Sequence, residues 1–130
     1  SASMRSLVHT AMRLRPDHLV VGEVRGAEAL EMVKAWASTP NGSACTIHAG
    51  SPARALSRLK AAIQEAGVTA DVEMIADVVG LIVMMRRQDS HSWRVTDIVA
   101  CEGRKHGEYD LRWLDRKEGH FTVGNSVLQH

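Results

Sequence analysis

Glu23 ends an apolar, β-branched run, Leu19-Val20-Val21-Gly22-Glu23-Val24, and Arg25 and Gly26 follow at once. A carboxylate at the C-terminal end of a parallel strand sits where open α/β sheets hold their ligands. There it can orient a water for attack on a terminal phosphate, or reach a magnesium ion through water. Arg25, and Arg15 upstream in Arg13-Leu14-Arg15-Pro16, can neutralise phosphate charge or pair with that carboxylate. A structural reading stands beside this one, in which Arg25 or Arg15 simply holds Glu23 in place. His48 has a similar setting. It ends the run Ala44-Cys45-Thr46-Ile47-His48, and Ser51-Pro52 behind it opens a helix, whose N-terminus attracts anions. A neutral imidazole there can donate to phosphate, or it can be satisfied by neighbouring backbone.

The elements that must position these residues alternate. Met4, Leu7, Val8 and Ala11 recur at helical spacing, and Pro16 stops that helix. Leu19 to Val24 reads as a parallel strand buried on both faces. A second helix starts near Ala27, with Leu30, Val33 and Ala37 on one face and Trp36 beside them. Thr39-Pro40-Asn41-Gly42 is a turn, and Ala44 to His48 is a second strand. Ser51 as cap and Pro52 at the first helical position start a third helix, which carries Leu56, Leu59 and Ile63 inward and stops at Gly67. Arg54 and Arg58, one turn apart on it, could face a subunit boundary, though such a pair is more often simply solvated. A fourth begins at Asp71, with Val72, Ile75, Ala76 and Val79 on one side. From Leu81 the period becomes extended: Leu81 to Met85, Trp93 to Cys101, and an alternating strand with Tyr109, Leu111 and Trp113 on one face. Phe121 to Val123 adds a last short strand, and polar links over 88–92 and 103–107 imply antiparallel connections. Both Glu23 and His48 thus fall at strand ends on one edge of a single sheet.

Composition narrows the partners. Hydrophobic residues make up 45% of the 130, enough for a core. Sixteen basic residues against fifteen acidic ones leave +1, so whole-chain charge gives no case for nucleic acid or an anionic membrane. No apolar run approaches the ~20 residues of a membrane span, and the absence of a signal-peptide pattern reads as cytosolic. Cys45 and Cys101 read as buried reduced thiols, and the histidines show no metal spacing. Trp36, Trp93 and Trp113 read as packing residues rather than base-stacking ones.

The ordered segments RPDHLVVGEVRG, EALEMVKAW and TIHAGSPARALSRL resemble the Walker B region and histidine box of the type II/IV secretion ATPases, above all the conjugal-transfer branch. The later IADVVGLIVMMRR and RVTDIVACEG extend the resemblance from about Met4 to Leu114. The resemblance implies an α/β fold, the C-terminal portion of a RecA-like P-loop NTPase core in three layers, followed by an antiparallel meander. It makes residues 1–130 one partial ATPase domain, α/β over about 4–87 and mostly β over about 88–130. It implies that Glu23 polarises the attacking water and that His48 contacts or senses the γ-phosphate region. Arg15 and Arg25 match arginines near this site; contact with the nucleotide phosphates, pairing with Glu23 and a place at a subunit interface all stay open. The implied cofactors are ATP and Mg2+, the metal reached from Glu23 only through water. The implied assembly is a hexamer, cytoplasmic and peripheral to the bacterial inner membrane. It works with secretion-channel components on type IV secretion or conjugal DNA transfer, with no direct nucleic-acid contact.

Departures accompany the likeness. Thr39-Pro40-Asn41-Gly42 stands where relatives commonly read Gly-His-Pro-Gly, and Gly50 where they usually have asparagine; both bear on nucleotide contacts rather than fold. The chain contains no G-x-x-x-x-G-K-[ST], the loop whose amides and lysine cradle phosphates. The expectation is a motor fragment inactive alone. An interaction module derived from such an ATPase is the alternative, and a nucleic-acid-binding domain is disfavoured by charge. The missing half would leave sheet surface uncovered, which predicts self-association or marginal stability.

Overall fold

The computed structural model describes residues 3–39, 41–117, 120–123 and 126–128, with side chains over 3–39 and 41–114. The chain divides into two compact units, Ser1–Val78 and Val79–His130.

In the first unit, Ser3 caps α1 (Met4–Arg13) by accepting the Ser6 N–H at 3.1 Å. The helix ends where Leu14 and Arg15 turn their N–H groups back to the carbonyls of Ala11 and Met12. Arg15 takes the left-handed conformation, φ 50°, ahead of Pro16. Only Val8 of the expected apolar face is buried; Met4 and Leu7 are exposed. An Arg5–Glu31 ion pair at 3.1 Å ties α1 to α2 (Glu28–Ser38). Two acids in the first turn of α2 oppose its dipole. Its sealed face is Ala29, Leu30, Met32, Val33 and Ala35, whereas Ala37, expected inward, is exposed. Thr39 Oγ1 donates to the Ala35 carbonyl at 2.7 Å and finishes the helix. Of the following turn, Pro40 lies outside the described residues and Gly42 has φ 81°.

β1 (Val20–Val21) and β2 (Ala44–Cys45) pair in parallel, Val20 with Ala44 and Val21 with Cys45. The ladder continues on both sides, Ala44 N–H to Leu19 O at 3.1 Å and Val24 N–H to Thr46 O at 3.0 Å. Leu19, Val21 and Val24 are buried, but Val20 is 71% exposed. Among the described residues, the expected strand buried on both faces is therefore covered on one face only, because side chains alternate across the pleat and Val20 points to the open side.

Ser51 accepts the Arg54 N–H at 3.2 Å, and Pro52 supplies the first helical residue of α3 (Pro52–Gln64). Leu56, Leu59 and Ile63 turn inward as their spacing predicts, and Gly67 follows the helix at φ 83°. Asp71 caps the short α4 (Val72–Ala76) through the Met74 N–H at 2.9 Å, with Ile75 and Ala76 buried.

The second unit opens with an antiparallel meander, β3 (Leu81–Arg87), β4 (Trp93–Lys105) and β5 (Glu108–Trp113). β4 runs past Cys101, so the expected link over 103–107 shrinks to His106-Gly107. Both residues have positive φ, 54° and 77°, the geometry of a two-residue primed hairpin turn. Met84, Val99 and Cys101 form its buried face; Trp113, expected to pack, is 52% exposed. β6 (Asp115–Lys117), β7 (His120–Val123) and β8 (Ser126–Leu128) make a second antiparallel sheet, and β7 contains the expected Phe121 to Val123. Among the described residues, no helix is long and apolar enough to cross a membrane.

Candidate functional site

Parallel pairing of β1 with β2 decides which side chains meet. Two residues past Val21 comes Glu23, and three past Cys45 comes His48, so both emerge at the same end of the sheet. The Thr46 hydroxyl donates to the Gly22 carbonyl, immediately before Glu23, and locks the two strand ends together. Upstream, Ser43 Oγ accepts the Leu19 N–H and His18 Nδ1 lies 2.9 Å from the Gly42 carbonyl.

Glu23 is the hub. Its Oε2 lies 2.7 Å from an Arg25 guanidinium nitrogen and its Oε1 lies 3.2 Å from His48 Nε2. The Glu23 side chain is 28% exposed, whereas Arg25 and His48 are mostly in solvent. The hydrogen bond from Arg25 holds the Glu23 carboxyl below its usual range against the opposing effect of desolvation, with further help from the charges of Arg25 and His48. The same pair raises the pKa of Arg25. The turn carrying Arg25 is itself fixed, since Glu28 Oε1 accepts the N–H groups of Arg25 at 2.8 Å and Gly26 at 3.2 Å. Partial burial works to raise the Glu28 pKa, but those backbone N–H groups outweigh it and the net direction is down. A Cβ on Gly26 would meet the Glu65 carboxylate at 2.7 Å, so glycine here allows the end of α3 to approach.

Glu23, Arg25 and His48, three of the four residues singled out in the sequence, are therefore brought together. Arg15 is not. It precedes the N-terminal end of β1 while Glu23 follows its C-terminal end, and it makes no ion pair or hydrogen bond with Glu23. Around Glu23 lies a cleft of about 400 Å³ lined by Val24, Arg25, Ile47, His48, Arg58 and Ala62. Arg58 is the residue sequence reasoning underrated, as half of a solvated pair with Arg54. The available signal was its place on α3, one helical turn before Ala62 on a helix whose rotation Leu59 and Ile63 fix. A second hollow of about 320 Å³, lined by Ala49, Gly50, Arg54, Ser57, Arg58 and Ala61, adjoins at Arg58. Among the described residues no group of three His, Cys, Asp or Glu could hold a metal directly. Cys45 and Cys101 are both free, and burial pushes the Cys45 thiol up to about 11.

Residues 1–114 match the family described as type II/IV secretion system protein, and the chain belongs to that family. It is 40% identical over 111 residues to "Probable conjugal transfer protein TrbB" of Sinorhizobium fredii, covering 85% of this chain and 34% of that protein. It is 37% identical over 109 residues to "Conjugal transfer protein TrbB" of Rhizobium radiobacter, covering 84% and 33%. The chain thus spans about a third of the length of these relatives. In fold it is similar to a crystal structure of the VirB11 ATPase from the Brucella suis type IV secretion system in complex with sulphate. The TM-score there is 0.67 at 20% identity, covering 76% of this chain and 32% of that one.

Proposed function

We propose that this chain supplies the Walker B and histidine-box half of a motor ATPase that drives type IV secretion or conjugal DNA transfer. The observation that carries the reading is the meeting of Glu23 and His48, 3.2 Å apart, at the C-terminal ends of two parallel strands. Glu23 stays ionised at neutral pH under the influence of Arg25, so its task is to accept a hydrogen bond from water and aim the lone pair at a γ-phosphate. His48, largely in solvent, turns from Glu23 to a phosphate oxygen. Arg25 offsets phosphate charge once it leaves the carboxylate. Glu23 is the carboxylate of the cleft, which suits contact with Mg2+ through water rather than direct coordination. Arg15, remote from Glu23, is left with an interface or a distal phosphate role.

In this reading residues 1–130 are one partial RecA-like domain of three layers, and the open face at Val20 is where further sheet or helix belongs. The intact motor is a hexamer on the cytoplasmic side of the inner membrane, engaging channel components without holding nucleic acid directly. ATP and Mg2+ belong to that intact form. The chain has no G-x-x-x-x-G-K-[ST], so by itself it is inactive. Magnesium-dependent ATP turnover, measured for this chain and for a version carrying an upstream P-loop, tests the assignment. Turnover confined to the longer protein supports a motor. Its absence from both, with intact folding, moves the reading to an interaction module derived from such an ATPase.

A further inference from the structure

We infer that Arg58 is an anion-contact residue of the Glu23 cleft, and that the cleft and its neighbouring hollow together take a condensed phosphate. The inference deepens the ATPase reading by naming a residue and a ligand class for the same site, but its test needs no turnover.

Three observations support it. Arg58 lines both the Glu23 cleft and the neighbouring hollow with Arg54 and Ser57, so one side chain borders both spaces. Within the described residues it makes no ion pair or hydrogen bond, whereas Arg25, Arg5 and Arg112 are each paired with an acid. Finally, α3 cannot easily rotate to move it: Leu56, Leu59 and Ile63 seal the opposite side of the helix, and the Ser51 cap holds the first turn.

Charge sets the ligand class. The cleft holds two guanidiniums against one carboxylate, and the adjoining hollow adds Arg54 without an acid. A neutral or cationic ligand gains nothing there, while a chain of linked phosphates spans both spaces and gives Arg58 an acceptor on either side. Arrival of the anion also competes for the Arg25 guanidinium, which is paired with Glu23, so binding would loosen the 2.7 Å pair and return a Glu23 oxygen to water.

Inorganic pyrophosphate titrated into the 130-residue chain, followed by NMR of the arginine side-chain and backbone N–H groups, tests this. Sodium chloride at matched ionic strength is the control. The expected result is saturable shifts at Arg58, Arg25 and His48 that chloride does not reproduce. Loss of a charge-assisted contact should weaken binding about tenfold or more in Arg58→Gln. Arg58→Lys should recover part of it, and Glu23→Gln should bind at least as tightly as the parent. Binding within twofold of the parent in Arg58→Gln, or shifts that chloride reproduces in full, overturns the inference. Arg58-dependent binding in a protein whose P-loop-bearing version shows no turnover would sink the ATPase reading and leave this one standing. Turnover without Arg58 dependence would do the reverse.

Discussion

Leu56→Ala tests whether α3 is the fixed wall of the site. Leu56 is 2% exposed, and Leu59 at 5% and Ile63 at 0% lie on the same sealed face. Truncation removes three carbons from a face that neighbouring large side chains hold open, so little collapse can refill the space. The loss should be about 3 kcal/mol, within the range for buried leucines. For a unit of this size that is a fall in Tm of roughly 12–24 °C. Urea unfolding followed by far-UV circular dichroism reads the change as a lower midpoint at unchanged slope. Ser57→Ala, one residue along on the exposed side, should stay within about 0.5 kcal/mol and controls for helix propensity. A Leu56→Ala loss under about 1 kcal/mol would refute the packing of α3 described above, and with it the fixed position of Arg58.

Three further outcomes follow from the same geometry. Arg25→Gln should raise the Glu23 pKa toward the usual carboxylate range, read by carboxyl carbon NMR. Because the folded pKa is depressed, the pair's stabilisation is present above the unfolded pKa and fades as pH falls through the folded one; an unmoved titration would contradict the pairing. Cys45 is only half-buried, unlike the expected buried thiol, yet with its pKa pushed up to about 11 it should react with iodoacetamide at pH 8 far more slowly than in urea; equal rates would count against its partial burial. Val20→Lys should cost less than about 0.5 kcal/mol, whereas Val21→Lys should unfold the unit; comparable losses would show that the sheet is covered on both faces.

Much of this was legible beforehand, for identifiable reasons. Ser51-Pro52 and Asp71 announce helix starts through local chemistry, and both caps form as read. Glu23 and His48 could be placed at one sheet edge because strand ends follow from the apolar runs before them. What escaped depended on tertiary context. Val20 has the composition of a buried strand residue, but a β-branched side chain does not reveal whether anything covers its face. His106-Gly107 was hidden inside a longer polar stretch, because β4 continues through Gly103 with a bulge that pattern reading cannot distinguish from a loop. Arg58 looked like half of a solvated i, i+4 pair, and only the angle of α3 relative to the strand ends turns it toward Glu23. Arg15 shows the opposite case, near Glu23 in sequence but at the far end of the strand, a separation that sequence distance alone does not reveal.

In the proposed motor, Glu23 acts on water and not on nucleotide affinity. The most direct test is single-turnover ATP hydrolysis, with nucleotide binding measured alongside, in the P-loop-bearing protein with and without Glu23→Gln. Affinity should stay within about twofold of the parent while the hydrolysis step slows by roughly 100-fold or more, the scale on which a positioned catalytic group contributes. Hydrolysis at the parental rate would contradict this role and leave Glu23 a structural acid held by Arg25.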